Sequence, residues 1–167
     1  MIYYITGGER SGKSSYAQKL AEGLSEKPYY LATSRIWDKD FENRVERHKN
    51  DRDERWSTIE EETKISTVIP ENCVIVIDCV TLWLTNLYVD FEQNVEKALE
   101  FATYEIENLS KLNSKIIIIS NEIGMGVHAQ THAARKFTEL QGWTNQRIAK
   151  KADKAIFMVS GLQLTLK

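Results

Sequence analysis

The chain has 167 residues, of which 42% are hydrophobic and 28% are charged, and its formal net charge is -2. This length predicts one domain spanning residues 1–167, and the near-neutral charge argues against a large nucleic-acid-binding surface. The sequence has no apolar run long enough to cross a membrane and no signal-peptide layout. We therefore expect a cytoplasmic protein with no nucleic-acid partner and no membrane span.

The first element is a short apolar run, residues 2–5, which predicts a buried strand. A segment that fits the phosphate-loop pattern G-x-x-x-x-G-K-[ST] follows it: Gly7, Gly8, Glu9, Arg10, Ser11, Gly12, Lys13 and Ser14. Residues 13–24 are then predicted to be helical. A strand, this loop and a helix in that order are typical of a site for the phosphates of a nucleoside triphosphate.

Each part of this loop has a chemical task. The glycines allow a tight turn in which successive backbone N–H groups point at a phosphate, and the helix N-terminus adds partial positive charge. We expect Lys13 to reach the β- and γ-phosphates and the Ser14 hydroxyl to ligand Mg²⁺. The plainer alternative is a glycine-rich turn that binds nothing.

Short apolar runs and amphipathic segments alternate along the rest of the chain. Strands are predicted at residues 2–5, 29–32, 74–77, 116–119 and 155–159, helices at 13–24, 95–112 and 131–152, and a terminal hairpin at 162–166. This pattern predicts an α/β domain of the P-loop NTPase type, with a mostly parallel sheet flanked by helices and a C-terminal antiparallel hairpin. Cys73 and Cys79 lie in or beside an apolar run, which predicts buried thiols rather than a disulfide.

The segment at residues 38–55 is crowded with charged side chains, and most such segments are solvated helix faces. Arg44, His48 and Arg52 are spaced four residues apart, so a helix would place them on one face. A row of cations around a histidine suits a triphosphate, because the arginines bind phosphate oxygens and the imidazole can attack phosphorus. From spacing alone, an exposed surface histidine is the favoured interpretation.

The residues after this segment offer two further candidates for nucleotide binding. Trp56 can stack on a base, although a tryptophan is more often part of a core. Glu60 can accept hydrogen bonds from the N1–H and exocyclic amine of guanine, a donor pair that adenine lacks.

Two of the predicted strands end in polar residues. Asp78 follows an apolar strand, and ligands of open α/β sheets bind at the carboxyl ends of strands, so Asp78 is a candidate for holding Mg²⁺. The alternative is a carboxylate that caps the next segment. Ser120, Asn121 and Glu122 repeat the pattern after the next strand, and they indicate either a substrate or phosphate loop or a plain polar turn.

Together these segments resemble one family, the bifunctional adenosylcobinamide kinase/adenosylcobinamide-phosphate guanylyltransferases of cobalamin biosynthesis. The resemblance covers nearly the whole chain and rests on residues 6–14, 31–34, 44–49, 56–60, 78–86, 121–126, 135–137, 142–146, 152–153 and 160–161. Its most specific parts are the Thr6-Gly7-Gly8 entry to the loop, the His48 segment and the Asn-Glu-x-Gly-x-Gly loop that begins at Asn121.

The resemblance implies two reactions. ATP or GTP phosphorylates the aminopropanol hydroxyl of adenosylcobinamide, a corrinoid, and GTP then transfers GMP to that phosphate and releases pyrophosphate through a GMP–histidine intermediate. His48 matches the guanylylated histidine of the family. By the same matching, the candidates for GTP contacts are Thr33, Ser34, Lys49, Asn50, Asp51, Arg52 and Glu60, and Asp78 matches an acidic position. The resemblance also implies a homotrimer.

Two alternatives stay open at this point. One is a P-loop kinase for a small molecule that has a single activity. The other is a GTPase-type switch, although the chain lacks the Asn-Lys-x-Asp string that such switches use to recognise guanine.

Overall fold

Strands and helices alternate along the part of the chain that the computed structural model describes, residues 1–35 and 53–167. The strands are β1 (Ile2–Gly7), β2 (Tyr29–Ala32), β3 (Ser57–Glu60), β4 (Val74–Asp78), β5 (Lys115–Asn121), β6 (Lys154–Val159) and β7 (Leu162–Thr165). The helices are α1 (Lys13–Leu24), α2 (Val80–Asp90), α3 (Val95–Leu109) and α4 (His132–Lys151), with a 3₁₀ turn at Ile65–Thr67.

The described strands all belong to one sheet in the order β3-β2-β4-β5-β1-β6-β7. Neighbouring strands are parallel except for β6 and β7, which form an antiparallel hairpin. The hairpin turns through Ser160 and Gly161, both with positive φ, as a two-residue hairpin loop requires. The predicted fold, a mostly parallel sheet with a C-terminal hairpin, is confirmed.

The central strands are buried because helices cover both faces of the sheet. Alternate residues of each strand point to opposite faces, and two separate cores result. One core contains Ile75 and Ile77 and packs under α2, α3 and α4, whereas the other contains Val74 and Val76 and packs under α1. This two-sided burial explains why the strands are nearly uniform apolar runs in the sequence.

The main differences between the predicted elements and the structure concern β3, α2 and the end of α3. The strand β3 and the helix α2 were not predicted, because β3 is a short, largely exposed edge strand and α2 follows β4 after a single residue. The helix predicted at residues 95–112 ends at Leu109, where the Ser110 amide donates to Ile106 O and closes the last turn. Asparagine and serine are poor helix formers and are frequent in the residues that follow.

Both cysteines are free thiols. Cys79 is buried, and burial raises its pKa to about 12. Cys73 is only partly buried, so the prediction of buried thiols is confirmed for Cys79 alone. None of the helices in residues 1–35 and 53–167 is long and apolar enough to cross a membrane.

Candidate active site

The phosphate loop lies between the carboxyl end of β1 and the first turn of α1. Its backbone turns through two residues with positive φ, Arg10 at 54° and Gly12 at 95°. Gly12 is the N-cap of α1 and has the left-handed conformation that glycine adopts at least cost. The loop therefore opens onto a helix N-terminus, where backbone N–H groups and the helix dipole favour an anion.

Close packing against the neighbouring strand β6 requires glycine at position 7. A Cβ on Gly7 would lie 2.3 Å from the carbonyl oxygen of Met158 in β6, a distance that no side chain tolerates. The β6–β7 turn also supports the loop, because the Gly161 amide donates to Ser11 O over 3.0 Å. The turn of the β6–β7 hairpin thus helps to fix the position of the phosphate loop.

Lys13 is buried and folds back over the loop. Its Nζ donates to Gly8 O over 2.5 Å and to Ser11 Oγ over 3.4 Å. Burial lowers the pKa of Lys13 below its ordinary value, and the nearby Asp78 and Glu9 carboxylates partly offset that effect. The ammonium group therefore lies within the loop that is predicted to hold the phosphates.

Asp78 lies at the carboxyl end of β4 and accepts two hydrogen bonds on one oxygen. The Ser14 hydroxyl donates to Asp78 Oδ2 over 3.1 Å, and the Tyr30 hydroxyl donates to the same atom over 3.0 Å. The N-cap of α2 is Cys79, and no side chain of the described residues caps that helix, so the alternative interpretation of Asp78 as a helix cap is wrong. Sequence reasoning missed Tyr30, since nothing distinguishes it from a core residue of a strand.

The polar end of β5 lies beside the phosphate loop. The Glu122 amide donates to Gly7 O over 3.0 Å, and the Asn121 amide donates to Thr81 Oγ1 over 3.3 Å. The Glu122 carboxylate accepts from the Gly124 amide over 2.8 Å, as a polar turn does. The segment is therefore a turn by its own hydrogen bonds and a neighbour of the phosphate loop by its position.

The other candidates from the sequence fall at the carboxyl ends of β2 and β3. Glu60 is exposed and is paired across the sheet with Ala32, which precedes Ser34 by two residues in the chain. Thr33 is fully buried and its hydroxyl donates to Cys79 O over 2.8 Å, so its side chain contacts the protein interior. Ser34 is partly exposed at this edge.

Trp56 is partly buried and packs against the core on the α1 side of the sheet. Its indole lies edge-on to Tyr30 with 6.4 Å between ring centroids, and its Nε1 donates to Glu22 over 3.3 Å. The core interpretation of this tryptophan therefore fits better than base stacking. The remaining candidates lie in residues 36–52, outside the described residues: His48, Lys49, Asn50, Asp51 and Arg52.

The parallel sheet, the phosphate loop after β1 and the Asp78 carboxylate at the end of β4 together define a P-loop nucleotide-binding protein. A model of the family described as cobinamide kinase / cobinamide phosphate guanyltransferase matches residues 3–166. The chain therefore belongs to that family, as the resemblance in its sequence predicted.

Curated relatives agree with this assignment over the full length. The bifunctional adenosylcobalamin biosynthesis protein CobU of Escherichia coli K12 is 34% identical, and the match covers 100% of each chain. CobP of Pseudomonas aeruginosa, which has the same bifunctional description, is 34% identical over 98% of this chain and 95% of its own. CobU of Salmonella typhimurium LT2 is 33% identical over 100% of each.

Solved structures that match this chain are more distant in sequence. One is an ATPase domain that is 12% identical with a TM-score of 0.49, and the match covers 93% of this chain and 68% of that one. Another is a KaiC-like protein of Pyrococcus horikoshii OT3, which is 13% identical with a TM-score of 0.47, with 93% and 69% covered.

Proposed function

We propose that this protein catalyses both reactions of its family in one domain, residues 1–167. A nucleoside triphosphate, ATP or GTP, phosphorylates the hydroxyl of adenosylcobinamide. GTP then gives GMP to adenosylcobinamide phosphate, which yields adenosylcobinamide-GDP and pyrophosphate. The names of the curated relatives support this proposal. The observation that carries it is that Asp78, at the carboxyl end of β4, accepts from Ser14 and interacts electrostatically with Lys13 of the phosphate loop.

In the kinase step the protein mainly positions and neutralises phosphates. Backbone N–H groups of residues 8–14 bind the β- and γ-phosphate oxygens, and the Lys13 ammonium balances the charge that develops as the γ-phosphoryl group leaves. The substrate hydroxyl attacks the γ-phosphorus, its bond to oxygen forms while the bond to the β-phosphate oxygen breaks, and the hydroxyl proton passes to solvent or to a nearby base.

Ser14 and Asp78, at the start of α1 and the end of β4, fit a magnesium ion. Mg²⁺ prefers oxygen ligands at about 2.1 Å in an octahedron, so adjacent ligand oxygens lie about 3 Å apart. Ser14 Oγ and Asp78 Oδ2 are hard oxygen donors separated by 3.1 Å. These two residues would hold the ion directly or through its water, and the ion when bound supplies positive charge to the phosphates.

His48 is the proposed nucleophile of the second reaction. The neutral imidazole attacks the α-phosphorus of GTP, a P–N bond forms, and the bond to the pyrophosphate oxygen breaks. A phosphate oxygen of adenosylcobinamide phosphate then attacks the same phosphorus, and the P–N bond breaks to regenerate the histidine. Ser34, Glu60 and the cationic residues Lys49 and Arg52 are the proposed GTP contacts, joined by Thr33 through its backbone and by Asn50 and Asp51.

The proposal is tested by incubating the protein with GTP labelled at the α-phosphate. We expect a covalent label that is labile in acid and stable in alkali, as a phosphoramidate is, and that is absent from the His48→Ala variant. That variant should retain the kinase reaction. A wild-type protein that phosphorylates adenosylcobinamide but never acquires the label would instead support a kinase with a single activity.

We also propose a homotrimer in the cytoplasm. The edge of the sheet offers an apolar surface for self-association, since Leu162, Leu164 and Leu166 are 70%, 55% and 59% exposed. Light scattering should give three times the chain mass of 19.3 kDa. A Leu164→Lys variant should reduce that mass if β7 is part of the interface, and a monomeric wild-type protein would contradict the proposal.

A further inference from the structure

Asn86 of α2 is fully buried, and its side-chain amide joins two separate stretches of chain. Nδ2 donates to Thr33 O over 2.8 Å and to Glu62 O over 3.0 Å. Thr33 directly follows β2, and Glu62 lies two residues beyond the end of β3. Asn86 therefore holds the ends of two neighbouring strands in a fixed relation.

Pairing within the sheet does not extend to these ends. The last paired residues of β2 and β3 are Ala32 and Glu60, and one further backbone bond runs from the Glu61 amide to Ala32 O over 3.1 Å. Beyond that bond the segments that follow β2 and β3 are connected through the side chain of Asn86. The cross-link thus starts where the strand pairing stops.

A second connection joins the same region to β4. The Thr33 hydroxyl donates to Cys79 O over 2.8 Å, and the Cys79 amide donates to Thr33 Oγ1 over 2.9 Å. Cys79 directly follows Asp78. Asn86 and Thr33 together connect the ends of β2 and β3 to the end of β4, where the Ser14–Asp78 contact lies.

A partly exposed ion-pair cluster reinforces this arrangement at the surface. Arg35 donates to Glu62 Oε2 over 2.6 Å and to both oxygens of Asp90 over 2.8 and 3.1 Å. Asp90 is the last residue of α2. The helix therefore contacts the segments that follow β2 and β3 at its middle, through Asn86, and contacts Arg35 at its end, through Asp90.

The choice of asparagine at this buried position is not explained by stability alone. The carbonyl oxygen of Asn86 has no hydrogen-bond partner in the part of the chain that the structure describes, and an unpaired buried acceptor destabilises the folded state. What the side chain provides in return is two donors aimed at two different backbone segments. That geometry is suited to fixing the spacing of the segments.

We propose that Asn86 is a positioning residue for guanine-nucleotide recognition. This inference rests on the proposed function, in which Ser34 and Glu60 contact GTP. Each of these residues lies next to, or two residues from, a carbonyl that Asn86 holds. Recognition of a base by hydrogen bonds requires contacts placed to within about 0.5 Å, so loss of the cross-link should weaken binding of GTP more than binding of ATP.

The test compares equilibrium binding of the α,β-methylene analogues of GTP and ATP, which cannot lose pyrophosphate, to the full-length protein by calorimetry. Asn86→Leu removes both donors at similar volume, and Asn86→Ala removes both donors together with the side-chain volume. We expect the dissociation constant for the GTP analogue to rise about 10-fold in Asn86→Leu, equivalent to about 1.4 kcal/mol, and at least as much in Asn86→Ala. The constant for the ATP analogue should change less than threefold in both.

Glu105→Leu is the matched control. Glu105 is also fully buried, and its Oε2 accepts from the Ser66 amide over 2.8 Å, far from the phosphate loop in sequence and on α3. This variant should lose stability without changing the ratio of the two affinities. Equal weakening of both analogues in the Asn86 variants, or no weakening of either, overturns the inference. A wild-type protein without the GMP adduct contradicts the proposed function alone, because binding selectivity is measured separately.

Discussion

Ser14 and Asp78, which are 64 residues apart in sequence, are joined by a hydrogen bond from the Ser14 hydroxyl to Asp78 Oδ2. They come from opposite sides of β5, because β1 leads into the phosphate loop and β4 ends in Asp78 while β5 lies between these strands. The contact therefore depends on the order of the three central strands, β4-β5-β1. It also brings together the two oxygens proposed to ligand Mg²⁺.

The substitution Asp78→Asn should separate charge from shape at this contact. Asparagine still accepts from Ser14 and Tyr30 on its carbonyl oxygen but has no negative charge for a metal ion. We expect the kinase kcat/KM to fall about 100-fold and the Mg²⁺ concentration needed for half-maximal rate to rise, as measured in a metal titration with ATP. Tyr30→Phe is the control, since it removes one hydrogen bond to the same oxygen and leaves the carboxylate. Equal losses in the two variants would argue against a metal role for Asp78.

Gly7 and Gly8 should respond differently to alanine. A methyl group on Gly7 meets Met158 O at 2.3 Å, whereas a methyl group on Gly8 meets no atom of the described residues within 4 Å. Gly7→Ala forces β1 and β6 apart, and we expect the free energy of unfolding to fall by about 2 kcal/mol, which urea denaturation measures. Gly8→Ala should change it by less than about 0.5 kcal/mol. The explanation by close packing is wrong if the two variants are equally stable.

Lys13 gives the protein a predictable pH dependence. Because burial lowers its pKa below 10.5, the ammonium group loses its proton at a lower pH than an ordinary lysine. Nucleotide affinity should therefore fall as pH rises through that lowered pKa. In the interval between it and 10.5 the unfolded chain binds the extra proton, so the contribution of Lys13 to the free energy of unfolding rises with pH.

Calorimetric titrations with the α,β-methylene analogue of ATP between about pH 7 and pH 10 check this pH dependence, because adenine does not titrate in that range and the analogue cannot lose pyrophosphate. Lys13→Arg is the control, because a guanidinium group stays protonated throughout that range. Its affinity, relative to its own value at neutral pH, should stay nearly constant. Parallel pH profiles for the wild-type protein and the variant would exclude Lys13 as the titrating group.

The parts of the fold that were predictable from sequence are those with the simplest burial. Strands β2 and β4 are covered on both faces and are recognisable as apolar runs, and Asp78 is recognisable because it ends such a run. By contrast β3 lies at the sheet edge, carries polar side chains and has no such signal. The helix α2 begins one residue after β4 ends, so no polar loop marks its start in the sequence.

The contacts between distant side chains were not predictable. Tyr30 reaches Asp78 from the neighbouring strand, and Asn86 reaches two carbonyls that precede it by 53 and 24 residues. Neither contact has a spacing rule, because each depends on strand order and on which face of a helix meets the sheet. Two features mark Asn86 in the sequence: it is a polar residue in the mostly apolar segment of α2, and it ends the stretch of residues 78–86 that resembles the family.

Asn121 provides a test of whether the end of β5 takes part in phosphoryl transfer. The strand runs between β1 and β4, so Asn121 lies between the phosphate loop and Asp78, and its register partner on β1 is Gly7. An amide at this position can donate to the γ-phosphate, and Asn121→Ala should lower the kinase kcat about 10-fold while the KM for ATP changes less than threefold. Asn113→Ala, an exposed asparagine near the opposite end of the same strand, should leave both constants within twofold of wild type. If Asn121→Ala retains the wild-type kcat, this segment is a polar turn and nothing more.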